Sequence, residues 1–271
     1  MAEDDFKERR PRRERGSDEP SKWLPAEEYL TNEVNPNEGL PFSRKWRLAV
    51  FGGSFDPVHL GHVKLARQVL EHDLADEILF VPAKRSPFKP LKQAETCDDR
   101  LEMLSLAIDD AIAEKPTYEI KLVDGRVKEC EYRFSLSDIE CRRDGDASYT
   151  YDTMMMLKQG FPDYELKFLM GSDCLEELKD WRQAGSLIRN FEFLIYPRPG
   201  HERVGDAAII RLYHTLAPRL IRARLSTEDF PVWDISSSDI RNGIARGGDL
   251  SPYLTPSVWK YIQEHNLYKQ E

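Results

Sequence analysis

The chain lacks long apolar runs. Of its 271 residues, 40% are hydrophobic and 32% are charged, and no apolar stretch approaches the roughly 20 residues that a membrane-spanning helix needs. The N-terminus is charged from residue 3 and has no apolar segment of the secretory type, and its early acids, Glu3, Asp4, Asp5 and Glu8, are atypical of a mitochondrial transit peptide. We therefore expect a cytoplasmic protein with no membrane partner.

Cysteine and net positive charge are also lacking. The four cysteines, Cys97, Cys130, Cys141 and Cys174, form no Cys-x-x-Cys pair and have no histidine at metal-ligand spacing, which excludes a zinc-binding framework. We expect all four to be reduced thiols of a cytosolic protein. The formal net charge of −9 argues against a nucleic-acid partner. An enzyme for anionic substrates would therefore have to concentrate positive charge locally.

Residues 1–44 and 45–271 differ in composition. The first segment is basic with interleaved acids between Lys7 and Arg15, and its flanks are rich in Pro, Ser, Asn and Glu, which is typical of a disordered extension. We interpret this segment as a solvated tail, with a partner-binding arm as the alternative. From residue 45 onward, strand-like and helix-like segments alternate, which predicts a separate α/β domain.

The alternation predicts a Rossmann-like, doubly wound, mainly parallel sheet with helices on both faces. Strands are predicted at Leu48–Phe51, Glu77–Val81, Tyr118–Val123, Leu166–Met170, Phe191–Tyr196 and Ile221–Leu225. Helices are predicted at Leu60–His72, Asp98–Ala113, Tyr151–Gln159, Cys174–Lys179, Ala184–Arg189, Gly205–Ala217, Ser238–Arg246 and Pro256–Glu264. Ligands of such sheets bind at the carboxyl ends of strands. Gly52, Gly171 and Arg198 follow three predicted strands, so we expect their loops to converge on one crevice.

The most informative segment is the turn at Gly52 and Gly53 with the two histidines that follow it. The turn lies between an apolar strand and an amphipathic helix, so its backbone N–H groups can approach a phosphate closely. His59 and His62 lie three residues apart on one side of the helix start, where the helix dipole favours anions. Their imidazoles can donate hydrogen bonds to charge that builds on phosphate oxygens. Asp56-Pro57 is expected to shape the turn rather than to react.

A second signal is the segment Ile235–Arg241, which reads Ile-Ser-Ser-Ser-Asp-Ile-Arg. Three hydroxyls and their N–H groups open a predicted helix, and Arg241 returns to the same side. Alone, such a start is typical of an ordinary helix cap. Together with the histidine motif, it predicts an anion cradle made by two helix N-termini, and hence chemistry on a phosphate.

These motifs resemble the signatures of a nucleotidyltransferase superfamily, (His/Thr)-x-Gly-His and Ile-Ser-Ser-Thr-x-Ile-Arg. Within it, the chain is most similar to bacterial-type nicotinate-nucleotide adenylyltransferases, from about residue 47 to residue 268. Further family-like segments are Asp138–Glu140, Ser148–Thr153, Gly171–Leu175 with Trp181, Arg198–Gly200 and Tyr253–Tyr268. The chain departs from the family pattern at Phe88, where the family often has histidine, and at Ser238, where it has threonine. Residues 124–134 resemble an insertion.

The resemblance implies adenylyl transfer from ATP to nicotinate mononucleotide, giving deamido-NAD and pyrophosphate, by direct in-line attack without a covalent enzyme intermediate. It implies catalytic roles for His59, His62 and Arg241. It implies ATP binding by Gly53, Ser54, Phe55, His59, His62, Gly171, Asp173, Ser236, Ser237 and Arg241. It implies mononucleotide binding by Lys89, Thr150, Trp181 and Arg182. Mg²⁺ is expected to bind through ATP phosphates and water, without protein ligands.

Several alternatives stay open at this point. The acceptor could be nicotinamide mononucleotide or another phosphate, or the chain could be a non-catalytic nucleotide sensor that uses its N-terminal arm. Asp173 could be a helix N-cap, Trp181 a core residue, and Lys89 and Arg182 solvated surface charges. The sequence does not decide between the acid and amide mononucleotides, and it leaves a homo-oligomer open.

Overall fold

A parallel sheet forms the centre of the protein. The computed structural model describes residues 45–84, 95–122, 125–143, 148–200 and 205–269. Its strands are Trp46–Gly53 (β1), Glu77–Pro82 (β2), Thr117–Lys121 (β3), Val127–Glu131 (β4), Phe134–Leu136 (β5), Tyr164–Gly171 (β6) and Glu192–Tyr196 (β7). The sheet has the order β5-β2-β1-β6-β7 with every pair parallel. The strand order reverses between β1 and β6, as in a doubly wound fold, and the predicted fold class is confirmed.

Helices cover both faces of this sheet. They are Leu60–Glu71 (α1), Cys97–Glu114 (α2), Thr150–Gly160 (α3), Ala184–Asn190 (α4), Asp206–Tyr213 (α5), Ala217–Arg222 (α6), Ser237–Ala245 (α7) and Pro256–Glu264 (α8). One apolar core lies under α1, α2, α7 and α8, and the other lies under α3 to α6. Across the described ranges, no helix is both long and apolar enough to cross a bilayer.

The register of β1 brings three loops to one edge of the sheet. Gly53 at the end of β1 pairs with Pro82 of β2, and Phe51 pairs with Leu169 of β6. The carboxyl ends of the central strands are therefore level. The loops that follow β1, β6 and β7 emerge side by side, as the positions of Gly52, Gly171 and Arg198 predicted.

One strand prediction is wrong, one predicted strand lies outside the main sheet, and two strands, β4 and β5, were missed. The segment predicted as Tyr118–Val123 forms β3, which pairs antiparallel with β4 in a hairpin outside the main sheet. The edge strand is instead β5, whose three residues are too short to show a periodicity. Ile221–Leu225 is not a strand, because α6 continues to Arg222. Only an isolated bridge between Ile195 and Arg224 remains there.

Two helix predictions also need correction. The segment Gly205–Ala217 is not one helix, because α5 ends at Tyr213 and His214 has a φ of 47°. A short 3₁₀ turn then leads into α6. Cys174–Lys179 lies across two short 3₁₀ helices, Ser172–Leu175 and Leu178–Asp180, because a six-residue window does not separate these forms from an α-helix.

Two of the four cysteines are joined, which corrects the expectation of four reduced thiols. Cys97 at the start of α2 and Cys141 after β5 form a disulfide with a Cα–Cα distance of 5.8 Å. Cys130 and Cys174 form no disulfide with any residue that the structure describes. The pair is 44 residues apart in sequence and meets because α2 packs against β5. A sequence without a Cys-x-x-Cys spacing holds no local sign of such a contact.

Candidate active site

The main cavity opens where the strand order reverses, at the carboxyl ends of β1 and β6. Its volume is about 410 Å³. All the residues predicted to bind ATP line it, namely Gly53, Ser54, Phe55, His59, His62, Gly171, Asp173, Ser236, Ser237 and Arg241. The fold therefore brings the two motifs together around one space, as the sequence predicted.

The paired imidazoles lie at the start of α1. Their ring centroids are 3.7 Å apart, and the backbone N–H of His59 donates to Nδ1 of His62 at 3.1 Å. Because Nδ1 of His62 is an acceptor, the neutral ring carries its proton on Nε2. Gly61 permits this packing, since a Cβ at that position would lie 3.0 Å from the His59 ring.

His59 is held as a neutral ring. It is 3% exposed, and burial lowers its pKa to about 3, with a further decrease from the nearby Arg198 cation. At neutral pH the ring therefore carries one N–H and no charge. It can donate a hydrogen bond to a phosphate, but it has no second ring proton to give.

The start of α7 is bonded directly to the histidine turn. Ser236 is the N-cap, and its Oγ accepts from the backbone N–H of Asp239 at 3.1 Å. The Ser237 hydroxyl donates to the Pro57 carbonyl at 2.9 Å, and Nη1 of Arg241 donates to the Asp56 carbonyl at 2.6 Å. These bonds join segments about 180 residues apart and fix Arg241 in the cavity wall.

Two residues that the sequence did not single out hold the turn from behind. The Tyr268 hydroxyl donates to the buried carboxylate of Asp56 at 2.8 Å, so the C-terminal segment supports the turn. Nη1 of the fully buried Arg100 donates to the carbonyls of Ser54 and Ala83, both at 2.7 Å. The available signal was the position of Arg100 on the otherwise apolar face of α2.

The loops after β6 and β7 add a charged pair. Nε of Arg198 lies 3.8 Å from a carboxylate oxygen of Asp173, and the backbone N–H of Arg198 donates to Ser172 Oγ. A Cβ at Gly171 would lie 2.2 Å from Oδ1 of Asp173, so this approach requires glycine. The N-cap of the short helix is Gly171 rather than Asp173. Arg198 is a cation at the cavity to which the sequence assigned no role.

A second cavity of about 190 Å³ adjoins the first. Of the residues predicted to bind the mononucleotide, Thr150, Trp181 and Arg182 line it, whereas Lys89 lies outside the described residues. Trp181 borders both cavities and packs edge-on against Phe168 at 6.1 Å. It is therefore attached to the core and also presents surface to ligands.

The polar wall of the second cavity comes from two networks. Arg182 lies 3.3 Å from the Asp152 carboxylate and stacks over the Tyr149 ring at 5.0 Å. Glu140 is buried and accepts from the Thr153 hydroxyl at 2.7 Å, and its burial raises the pKa of the carboxyl group. Because Glu140 precedes Cys141 of the disulfide, the cross-link also anchors this wall.

Comparison with known proteins agrees with this arrangement. Residues 50–243 match the protein family described as cytidylyltransferase-like. A probable nicotinate-nucleotide adenylyltransferase of Synechococcus sp. (strain JA-3-3Ab) is 35% identical over 229 residues, which cover 84% of this chain and 97% of that protein. A protein of the same name from Clostridium botulinum (strain Hall) is 33% identical over 221 residues, covering 82% and 98%.

A solved structure has the same fold. The nicotinic acid mononucleotide adenylyltransferase of Plasmodium falciparum, in complex with NaAD, aligns with a TM-score of 0.57 at 21% identity. The alignment covers 82% of this chain and 97% of that one. At this level of identity the likeness shows the fold alone.

Proposed function

The chain belongs to the cytidylyltransferase-like family and, within it, to the nicotinate-nucleotide adenylyltransferases, and on that premise we propose that it transfers the adenylyl group of ATP to nicotinate mononucleotide. The products are deamido-NAD and pyrophosphate, and the reaction is a step of NAD biosynthesis. The main support for this proposal is that the two cavities adjoin each other and share part of their walls. Two helix starts face one of them, Thr150 and Arg182 line the other, and Trp181 borders both.

The reaction needs alignment and charge stabilisation rather than an enzyme nucleophile. The 5′-phosphate of the mononucleotide attacks the α-phosphorus of ATP, and the bond from that phosphorus to the bridging oxygen breaks as pyrophosphate leaves. Gly53 and Ser54 lie on the border between the cavities. An acceptor on one side and a triphosphate on the other would meet there in line.

The helix starts would stabilise the charge that moves to pyrophosphate. We assign the Nε2 proton of His62 and the single ring N–H of His59 to the α- and β-phosphate oxygens. Ser236 and Ser237 would bind the β- and γ-phosphates through the main-chain N–H groups at the start of α7. Arg241 would bind them with the guanidinium N–H groups that remain beside its bonds to Asp56 and Ser238. Asp173 would accept from a ribose hydroxyl of adenosine.

The second cavity would position the acceptor. Trp181 offers a face on which a pyridine ring can stack, and Thr150 at the start of α3 offers a hydroxyl and a helix N-terminus to an anionic group. Arg182 and Lys89 would add positive charge. These assignments support a preference for the acid mononucleotide, whose carboxylate is an anion, over the neutral amide.

We propose that Mg²⁺ enters with ATP as part of the substrate. Within the residues that the structure describes, no group of three or more His, Cys, Asp or Glu side chains is placed to hold a metal ion. Mg²⁺ often keeps several waters and binds through substrate phosphate oxygens, so it needs few protein ligands.

We assign the catalytic unit to residues 45–271 and treat residues 1–44 as an extension. The substrates are small molecules, and the net charge of −9 disfavours nucleic acid as a partner. We propose a cytoplasmic location, which is compatible with this substrate pair.

An assay of pyrophosphate release tests the proposal. The full chain is incubated with ATP and Mg²⁺ and with nicotinate mononucleotide, nicotinamide mononucleotide or no acceptor, and His62→Ala gives the background. We expect rapid release with the acid and much slower release with the amide. Release only with nicotinamide mononucleotide would identify the amide as the acceptor instead of the acid. Release with neither mononucleotide would support the nucleotide-sensing alternative.

A further inference from the structure

The turn at Ser54 and Phe55 has a backbone conformation that needs support from its surroundings. Phe55 has a φ of 48°, in the left-handed region that bulky residues rarely adopt. Such residues persist where neighbouring groups impose the conformation, and they cluster at functional sites. The Phe55 ring is 1% exposed and packs edge-on against Phe51 and Phe80. Ring packing fixes the side chain but leaves the orientation of the preceding peptide group to other contacts.

Arg100 supplies that contact. Nη1 of its buried guanidinium donates to the Ser54 carbonyl at 2.7 Å. The C=O and N–H of a trans peptide point in opposite directions. Because its carbonyl is directed at Arg100, this peptide group turns the N–H of Phe55 away from Arg100, and Phe55 lines the main cavity. Arg100 lines neither cavity, so it acts from behind the wall.

The peptide group between Ala83 and Lys84, which follows strand β2, has the same geometry, and both its C=O and its N–H have a partner. The Ala83 carbonyl accepts from Nη1 of Arg100 at 2.7 Å, and the N–H of Lys84, on the opposite side of that peptide, donates to Ser148 Oγ at 3.2 Å. Ser148 lines the second cavity. One guanidinium group thus orients a peptide at each of the two cavities.

We propose that Arg100 is a positioning residue of the transfer reaction: it presents the N–H of Phe55 to the substrate phosphates and fixes the wall of the acceptor cavity through Ala83. This inference rests on the proposed function and adds a residue to it. Arg100 lines neither cavity, and its effect passes through main-chain carbonyls, among them those of Ser54 and Ala83. Lysine keeps the charge but lacks the rigid planar fork of N–H donors, so it should replace arginine only in part.

Arg67 provides a matched control. Its Nη2 donates to the Ala111 carbonyl at 2.5 Å and to Glu114 at 3.0 Å, and its side chain is 14% exposed. It therefore makes the same kind of arginine-to-carbonyl bond on the same side of the sheet. It lines neither substrate cavity, so Arg67→Met tests the loss of such a bond away from the site.

The first test is kinetic. Pyrophosphate release is measured for Arg100→Met, Arg100→Lys and Arg67→Met, each well below its own unfolding midpoint. We expect kcat/KM to fall about 10²-fold in Arg100→Met, the scale of a small misplacement of reacting groups. Arg100→Lys should recover part of that loss, and Arg67→Met should keep the wild-type value. Equal kcat/KM in folded Arg100→Met and Arg67→Met would overturn the proposal.

The second test observes the peptide itself. Protein labelled with ¹⁵N-phenylalanine is titrated with inorganic pyrophosphate, and the Phe55 amide signal is assigned by its absence in Phe55→Leu. We expect this signal to shift in the wild type and in Arg67→Met, and to respond more weakly in Arg100→Lys, so that the Lys variant decides the case if Arg100→Met does not fold. A Phe55 amide that ignores pyrophosphate in the wild type would refute the role of Arg100. A wild type that responds but releases no pyrophosphate from ATP would refute the proposed reaction alone.

Discussion

The two cavities share a border and differ in what lines the rest of their walls. The main cavity takes its walls from turns and helix starts, with the cations Arg198 and Arg241 facing it. The second is lined largely by apolar and aromatic side chains, including Val50, Val81, Met154, Phe168 and Trp181. The carboxyl ends of the same strands border both cavities. The loops and helices that follow these strands therefore determine which kind of ligand each cavity can bind. Helix N-termini suit phosphates, and a flat aromatic wall suits a ring.

The cavities also differ in the state of their polar groups. The main cavity holds a neutral, buried His59 and a left-handed Phe55, both held by the protein groups around them. Donors fixed in this way matter most where charge develops during the reaction. The aromatic wall, as proposed, would contact the acceptor equally before and during the reaction. Changes in the first cavity should therefore lower kcat, and changes in the second should raise KM.

The largest expected effect is that of His62→Ala. Loss of the Nε2 donor should lower kcat by about 10²–10³-fold, or about 2.7–4 kcal/mol, with little change in KM. Steady-state pyrophosphate release measures both constants, and circular dichroism checks the fold. His72→Ala, at the other end of the same helix, is the control and should keep full turnover. Full turnover in His62→Ala would remove this ring from the mechanism.

The next prediction concerns the pH dependence of the unfolding free energy, to which the buried, neutral His59 contributes. The folded pKa of about 3 lies below the ordinary value of 6.5, so the unfolded chain binds an extra proton between these pH values. This part of the unfolding free energy is fully present above pH 6.5 and is lost as the pH falls toward 3. Between pH 7 and pH 5 it amounts to about 2 kcal/mol.

Urea unfolding at the two pH values checks this contribution. His59→Gln has no titrating ring, so its unfolding free energy should decline by about 2 kcal/mol less than that of the wild type from pH 7 to pH 5. An identical decline in both proteins would mean that His59 is not buried as a neutral ring. The main cavity would then lack one of the fixed groups that distinguish it from its neighbour.

How well the sequence predicted each element depended on how local its signal is. Helix α8 was predicted with its observed bounds because Thr255 and Pro256 mark its start and apolar residues repeat along it. The segment at Ile221 resembled a strand because it is aliphatic, yet Ala217 and Leu220 bury one face of a short helix there. Strand β5 was missed because its pairing with β2, rather than its composition, makes it a strand.

Site residues also differ in how local their sequence signal is. The histidine and serine motifs are compact in sequence and were recognised, along with Trp181. Arg100 and Tyr268 were not, since they act on the turn across 46 and 212 residues. The disulfide between Cys97 and Cys141 was missed for the same reason. Residues that would touch substrate left a local pattern, whereas those that support them are visible only in the folded chain.

In the second cavity, Trp181→Ala should raise the KM for nicotinate mononucleotide about 10-fold and leave kcat unchanged. Aromatic stacking contributes about 0.5–1.5 kcal/mol and binds ground and transition states alike. Trp181→Phe keeps a smaller ring and should recover part of the affinity, while the KM for ATP serves as an internal control. An unchanged mononucleotide KM would assign Trp181 to the core alone.

The smallest effect should come from the bond that joins the two motifs. Ser237→Ala removes the hydroxyl that donates to the Pro57 carbonyl, and a neutral hydrogen bond contributes about 0.5–1.5 kcal/mol. We expect kcat/KM to fall by a few-fold and at most about 10-fold, because Arg241 still binds the Asp56 carbonyl and keeps α7 in place. Ser236→Ala is the matched comparison, since it loses the N-cap bond to Asp239 and should cost about 1 kcal/mol of stability. A 10²-fold loss of kcat in Ser237→Ala would show that this hydroxyl contacts the transition state itself, as the histidines are proposed to do.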